Sequence, residues 1–308
     1  MISKIVAIQG NDPSKLNPKT DTSIFLANEI QNKKYKIFYY NPKNLSVIDF
    51  KVMAKGSFIE LNYKKKKFFK ILKNLELDLS KCKSILIRQN PPFNLEYISS
   101  TYILENIKKK VKIVNDPTSL RNISEKLYSV KYSKFMPSTI FTQNINEIKN
   151  FFKNHKRIIL KPIHSYSGND VKLLKKFDNK LIKKFIKKHN YIMCQKFLPK
   201  INQGDKRVFL INGKVCGAIS RIPKKGSYLS NMSKGAKATT TRLTKFETKI
   251  SKLIAKDLKK DQIFFAGIDF IDKKLNGDIN VTSPTGIKTF YDLTKINLAK
   301  TFWKELNL

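Results

Sequence analysis

Gly267-Ile268-Asp269-Phe270-Ile271, a short turn, and then Asp278-Ile279-Asn280-Val281-Thr282-Ser283-Pro284-Thr285 is the stretch whose reading decides the fold. Two apolar strands joined by a hairpin would bring Asp269, Asp278 and Asn280 together. Hard oxygen ligands converging near triphosphate oxygens are what Mg2+ requires, and the ion neutralises charge during phosphoryl transfer. On these residues alone, Asp269 and Asp278 equally suit the ends of an ordinary hairpin. Ser283-Pro284-Thr285-Gly286 follows and leads into a helix expected over about Lys288 to Glu305. Hydroxyls and free N–H groups at a helix start bind carboxylates, although the same residues also serve as plain caps.

Upstream, apolar stretches on either side of Asn212-Gly213 predict a two-residue hairpin carrying Arg207 and Arg221. The polar segment 223–241 lacks periodicity and reads as a mobile surface loop, placed to act as a lid. Strands are expected at Arg157 to Lys161, Val171 to Leu174 and Tyr191 to Gln195. Lys161 closes an otherwise apolar strand and is fixed by Pro162, so it points at a phosphate more readily than a lysine on a solvated face. His164-Ser165-Tyr166-Ser167-Gly168-Asn169 follows as a polar loop whose backbone N–H groups can cover phosphates. Lys126 opens this second region.

The first region alternates. Apolar runs at Ile5 to Ile8, Ile37 to Tyr40, Ile85 to Ile87 and Val111 to Val114 are separated by helical stretches such as Thr22 to Gln31 and Leu95 to Ile107. Alternation of this kind predicts a mostly parallel sheet covered by helices, with sites at the C-terminal ends of its strands. The texture changes after Asn115-Asp116-Pro117, which puts a boundary near Ser119: an N-terminal domain over 1–118 and a second over 119–308, divided at about 200.

The 308 residues hold 62 Lys and Arg against 23 Asp and Glu, a formal net charge of +39. Such a balance raises nucleic-acid binding as a rival reading. The lysines are dispersed, however, in runs such as Lys64 to Lys67, Lys108 to Lys110 and Lys183 to Lys188, and dispersed charge belongs to solvated faces. No helix-turn-helix, zinc finger or RNA-binding motif accompanies it. No apolar run approaches the length of a membrane helix. The N-terminus reads as a first strand rather than a signal peptide, so a cytoplasmic location is expected. Cys82, Cys194 and Cys216 are widely spaced without a CxxC pair and suggest inert thiols.

Taken in order, these segments resemble the prokaryotic glutathione synthetase family of the ATP-grasp superfamily. The resemblance is carried by Lys19-Thr20-Asp21-Thr22-Ser23, Arg88-Gln89-Asn90-Pro91-Pro92-Phe93, Thr101-Tyr102-Ile103-Leu104-Glu105, Ser119-Leu120-Arg121, Glu125-Lys126-Leu127, Ile159-Leu160-Lys161-Pro162, Gly204-Asp205-Lys206-Arg207-Val208, Arg221-Ile222-Pro223 and Ile279-Asn280-Val281-Thr282-Ser283-Pro284-Thr285. It implies a Rossmann-like N-terminal domain followed by an ATP-grasp fold, an α/β and α+β architecture. It further implies that ATP phosphorylates the carboxylate of γ-glutamylcysteine and that the amine of glycine attacks the acyl phosphate. Lys126, Lys161, Gln195, Lys196, Phe197, Leu198 and Asp205 would then hold ATP. Asp269, Asp278 and Asn280 would hold Mg2+, with Mn2+ as an alternative. Arg207 and Arg221 would stabilise substrate and developing charge, and Arg88, Asn231, Ser283 and Thr285 would bind peptide or glycine carboxylates. A homo-oligomer is expected only because enzymes commonly form them.

The chain departs from the family pattern in three places. Asp278 stands where relatives carry glutamate, with one extra residue near Gly277. Gly168 is the single glycine left in the phosphate-covering loop. The lid reads Leu229-Ser230-Asn231-Met232-Ser233-Lys234-Gly235-Ala236 where relatives have an arginine and several glycines. A diverged ligase with another substrate, or a weak paralogue, is the alternative these changes leave open.

Overall fold

Buried Ile and Val at β1 (Ile5–Gln9) start the first sheet of a computed structural model that describes residues 4–62 and 68–308. The run Lys64 to Lys67 lies outside the described residues. Helix α1 (Thr22–Asn32) is capped by the Asp21 carboxylate, which accepts from the Ile24 amide, and buries Ile24, Phe25, Leu26 and Ile30. There follow β2 (Lys36–Tyr40), β3 (Leu45–Ile48), β4 (Lys51–Leu61), β5 (Phe69–Asp78), β6 (Ser84–Ile87), α2 (Leu95–Glu105), β7 (Lys112–Val114) and α3 (Pro117–Asn122). Strands β2, β1, β6 and β7 pair in parallel as expected. The structure adds an antiparallel extension of β3, β4 and β5 that the sequence reading missed. Much of β5 is exposed, and its apolar residues alternate with Lys, Asn and Glu rather than forming the continuous apolar runs of the central strands.

The middle of the chain forms a four-stranded antiparallel sheet in the order β10-β9-β11-β8, from β8 (Thr139–Thr142), β9 (Ile158–Pro162), β10 (Lys172–Leu174) and β11 (Ile192–Lys196). Helices α4 (Ile145–His155) and α5 (Asn179–His189) cover it, and Ile148, Phe151, Leu160, Ile182, Phe185 and Cys194 close a separate small core.

A five-stranded antiparallel sheet completes the molecule, with β12 (Asp205–Ile211), β13 (Lys214–Ile222), β14 (Lys237–Thr240), β15 (Phe265–Ile271) and β16 (Lys274–Asn280) in the order β14-β13-β12-β15-β16. Asn212 and Gly213 both take positive φ, 48° and 77°, as the predicted two-residue turn requires. Helix α6 (Lys245–Lys260) begins with a complete capping box between Thr244 and Glu247.

Two expectations need correction. The segment 223–241 is not loop throughout: its end is β14, paired to β13 from Ile219 to Ile222. The last helix is two helices, α7 (Ile287–Thr294) and α8 (Leu298–Glu305). Lys295 adopts φ 62°, which terminates α7, and Asn297 caps α8 by accepting from the amides of Ala299 and Lys300.

Side chains fasten the first sheet to the third. The Asn115 amide group donates to the carbonyls of Phe265 and Val281 and accepts from the amides of Phe264 and Phe265. Trp303 is fully buried and donates to the Leu26 carbonyl. No helix among the described residues is long and apolar enough to cross a membrane. All three cysteines are free, and burial pushes the thiols of Cys82 and Cys194 up to about 12, consistent with inert groups.

Candidate active site

Strands β15 and β16 pair regularly at Gly267 with Asn280 and at Ile268 with Ile279, but the next pair is Phe270 with Leu275. Asp269 alone therefore faces Asn276, Gly277 and Asp278, a bulge that turns the last of these out of the ladder. Gly277 makes it possible with φ 79°; a Cβ there would meet Met193 Cε at 2.6 Å and Met136 Cε at 2.7 Å.

The bulge meets two lysines. Lys161, 5% exposed at the end of β9, donates to Gln195 Oε1 at 3.1 Å and to the backbone and side-chain oxygens of Asn276 at 2.9 and 3.0 Å. Lys126 donates to the Ser165 carbonyl at 2.9 Å, and its Nζ lies 3.1 Å from Asp278 Oδ1. Asp278 Oδ2 is 3.9 Å from Lys161 Nζ. Burial would raise the Asp278 carboxyl, yet Lys126 and Lys161 outweigh it and hold it below the ordinary value. Burial lowers the Lys161 ammonium despite the pull of Asp278. The two lysines make one cationic floor, answered by a single carboxylate.

Arginines dominate the adjoining strands. Arg207 on β12 sits directly across from Asp269 in the register and forks onto it, with Nη2 donating to Oδ2 at 2.8 Å. Asp205 pairs in register with Arg221 on β13, whose Nε donates to Asp205 Oδ1 at 2.8 Å and whose Nη2 lies 2.8 Å from Asp269 Oδ2. Ser230, in the lid segment, donates to Asp205. All four charged groups are nearly buried. Burial opposes ionisation of Asp269, but Arg207 and Arg221 hold its carboxyl down at about 2. This fixed network presents two guanidinium groups to the cleft without freedom to swing.

The cleft between these elements has a volume of about 530 Å³, within the range of small-molecule sites. Of the residues singled out from the sequence, Lys126, Lys161, Gln195, Lys196, Phe197, Leu198, Asp205, Arg207, Arg221, Asn231, Asp269, Asp278, Asn280 and Thr285 line it. Arg88 and Ser283 do not. Arg88 is buried behind the wall, donating to Ser23 Oγ at 3.0 Å and to the Pro284 carbonyl at 2.9 Å, where it buttresses the Ser283–Gly286 segment. The single loop glycine, Gly168, has φ 69° and lies so close to the lid that a Cβ would stand 2.5 Å from Asn231 Oδ1. Lys234 also reaches across to Asn169 Oδ1 at 2.8 Å, so the segment 223–236 and the loop 164–169 touch.

Sequence reasoning missed Glu125 and Asn276. Glu125 Oε1 accepts from the amides of Val281 and Thr282 and from the Thr282 hydroxyl, pinning the backbone just beyond Asn280. Its place beside Lys126 in a matching segment was the available hint. Asn276 carried none, because its partner Lys161 is 115 residues away.

A divalent cation fits the donor set. Asn280 Oδ1 is shielded from solvent and has no hydrogen-bond partner, an acceptor that needs a cation or donor. It stands on β16 two residues from Asp278, with Asp269 on the neighbouring strand. Among the described residues no three His, Cys, Asp or Glu side chains form a cluster that could hold a metal ion by themselves.

A cleft between two antiparallel sheets, floored by lysines and walled by hard oxygens and paired arginines, defines a ligase of the ATP-grasp class. Family models match residues 5–121, as the prokaryotic glutathione synthetase N-terminal domain, and residues 125–295, as the prokaryotic glutathione synthetase ATP-grasp domain. The chain belongs to the prokaryotic glutathione synthetase family. The glutathione synthetase of Buchnera aphidicola is 38% identical over 94% of this chain and 91% of its own length. That of Agrobacterium fabrum is 35% identical over 97% and 95%. Among solved structures, D-alanyl-alanine synthetase A from Vibrio cholerae superposes with a TM-score of 0.63 at 14% identity, covering all of this chain and 98% of that one. D-cycloserine synthetase gives a TM-score of 0.65 at 10% identity, covering 98% of each chain. At those identities the likeness is one of fold. The expected N-terminal α/β region and ATP-grasp fold are both present, and the chain is an ATP-dependent ligase.

Proposed function

We propose that this ligase joins γ-glutamylcysteine to glycine, with Lys126 and Lys161 holding ATP phosphates and Gln195 to Leu198 forming the strand end against which adenine packs. The observation that carries the reading is the convergence of Lys126, Lys161, Arg207, Arg221 and the oxygens of Asp269, Asp278 and Asn280 on one cleft. Asp269, Asp278 and Asn280 would hold Mg2+, which supplies charge neutralisation at the transferring phosphate; Mn2+ suits the same oxygens. Asp205 acts through Arg221, keeping the guanidinium in register. Arg207 and Arg221 favour the negative charge that develops as the carboxylate takes the phosphoryl group and as the amine displaces it. Thr285 and Asn231 contribute polar groups for the peptide or glycine carboxylate, while Arg88 supports the segment bearing Thr285. No side chain need act as a nucleophile, because positioning and electrostatics suffice. In this reading residues 1–118 supply part of the substrate wall and residues 119–308 the nucleotide clamp.

The test is ADP release by purified protein with Mg2+, ATP, γ-glutamylcysteine and glycine, leaving out one component at a time. Turnover that needs all four supports the assignment. Turnover with another amine but not glycine would move the acceptor to a different class, and no turnover with any amine would overturn the reading.

A further inference from the structure

Five carboxylates line the cleft: Asp21, Glu125, Asp205, Asp269 and Asp278. Four of them are answered by the protein. Asp205 and Asp269 are locked to Arg207 and Arg221, Asp278 lies against Lys126 and Lys161, and Glu125 accepts three hydrogen bonds from Val281 and Thr282. Asp21 is different. It stands at the mouth of α1, on the part of the wall formed with Asn17, Thr20, Thr285 and Gly286. Its Oδ1 accepts from the Ile24 amide at 2.8 Å, and among the described residues it forms no ion pair within 4.0 Å.

Helix capping by the Ile24 amide and hydrogen bonds from Ser23 satisfy acceptors of the Asp21 carboxylate, but they do not supply a cation on its cleft side. A carboxylate there repels an anionic nucleotide, in a chain whose net charge is +39. Burial lifts the Asp21 carboxyl, and the Ile24 amide, the Arg88 guanidinium behind it and hydrogen bonds from Ser23 only partly pull it back. A half-buried acid whose neighbouring guanidinium, Arg88, lies on the far side from the cleft gains from a cation carried in by the ligand. Of the two proposed substrates, glycine cannot supply that cation productively, since its amine must be neutral to attack. The γ-glutamyl head carries an α-ammonium group that takes no part in the reaction.

We propose that Asp21 receives this α-ammonium group and thereby selects a donor peptide with a free amino-acid head. The assignment rests on the γ-glutamyl ligase reading above and adds to it the residue that recognises the non-reacting end. It gives a role to Lys19-Thr20-Asp21-Thr22-Ser23, and Thr22 Oγ1, by accepting from the Gly286 amide at 3.1 Å, ties that segment to the Ser283–Gly286 wall.

Asp21→Asn separates the two roles, because asparagine caps a helix about as well as aspartate and lacks the charge. The expected result is a rise of about 10- to 100-fold in KM for γ-glutamylcysteine, with KM for ATP and glycine and the melting temperature nearly unchanged. Glutaryl-cysteine, which lacks the α-amino group, should be a poor substrate for the unaltered protein, and Asp21→Asn should treat the two peptides alike. Asp21→Ser, also a good cap, serves if the asparagine variant fails to fold. An unchanged KM for γ-glutamylcysteine, intact discrimination against glutaryl-cysteine, or a rise confined to glycine would overturn the assignment. Failure of the unaltered protein to use γ-glutamylcysteine would appear before any variant is made, and would overturn the ligase reading and this inference with it.

Discussion

Arg221 Nη2 lies 2.8 Å from Asp269 Oδ2 while Nε of the same guanidinium donates to Asp205 Oδ1 at 2.8 Å, so one arginine bridges carboxylates on two different strands. Lysine has no planar fork and cannot reproduce the bidentate hold on Asp205 while also reaching Asp269. Arg221→Lys should lower kcat by about 100-fold and cost about 3 kcal/mol of stability, because one buried carboxylate loses its partner. Steady-state kinetics and urea unfolding check both; a variant within twofold of the parent in kcat would deny Arg221 its place in the chemistry.

Acid should weaken the fold through Asp269. Its carboxyl is held at about 2 by Arg207 and Arg221 against the opposing effect of burial, whereas in the unfolded chain it returns to about 3.9. Between those values the unfolded state binds more protons, so the contribution is complete above about pH 4 and is lost as the pH falls towards about 2. The amount is about 2 to 3 kcal/mol. Asp205 in the same network is raised by burial and acts in the opposite sense, so urea midpoints from pH 5 to pH 2.5 should fall by less than this amount, and Asp269→Asn should flatten that slope.

The bulge opposite Asp269 depends on Gly277. An added Cβ would meet both Met193 and Met136 and would sit on backbone with φ 79°. Gly277→Ala should therefore destabilise by about 1 to 3 kcal/mol and raise KM for ATP, since Asn276 and Asp278 lose their settings against Lys161 and Lys126. Nucleotide affinity by calorimetry, read beside the melting temperature, distinguishes a local shift from general loosening.

The unpartnered Asn280 Oδ1 makes a prediction about metal dependence. Asn280→Ala should raise the Mg2+ concentration needed for half-maximal ADP release by about 10-fold or more, with folding little affected. Titrations in Mg2+ and in Mn2+, at fixed free ATP, would measure it. An unchanged metal requirement would remove Asn280 from the site.

What the sequence by itself determined is what neighbouring residues encode. Alternating apolar runs defined β1, β2, β6 and β7; Asn212-Gly213 defined a hairpin; and Lys161, closing an apolar strand, pointed into a site. The hairpin reading of 267–285 placed Asp269, Asp278 and Asn280 together, since two-residue alternation and a turn suffice for that. The tertiary structure decided the rest. Whether Lys126 and Lys161 share Asp278, whether Arg221 spans Asp205 and Asp269, and whether Arg88 faces the cleft or braces its wall all depend on strand register and on which sheet packs against which. The antiparallel extension β3 to β5 was missed although β4 buries Val52, Ala54, Ile59 and Leu61, whereas β14 stayed hidden because its polar residues are held by pairing with β13. Asp21 was in plain view as a cap, but its place on the cleft wall, with Arg88 behind it and no ion pair within 4.0 Å, became visible only in the fold, which brings residues far apart in sequence to one space.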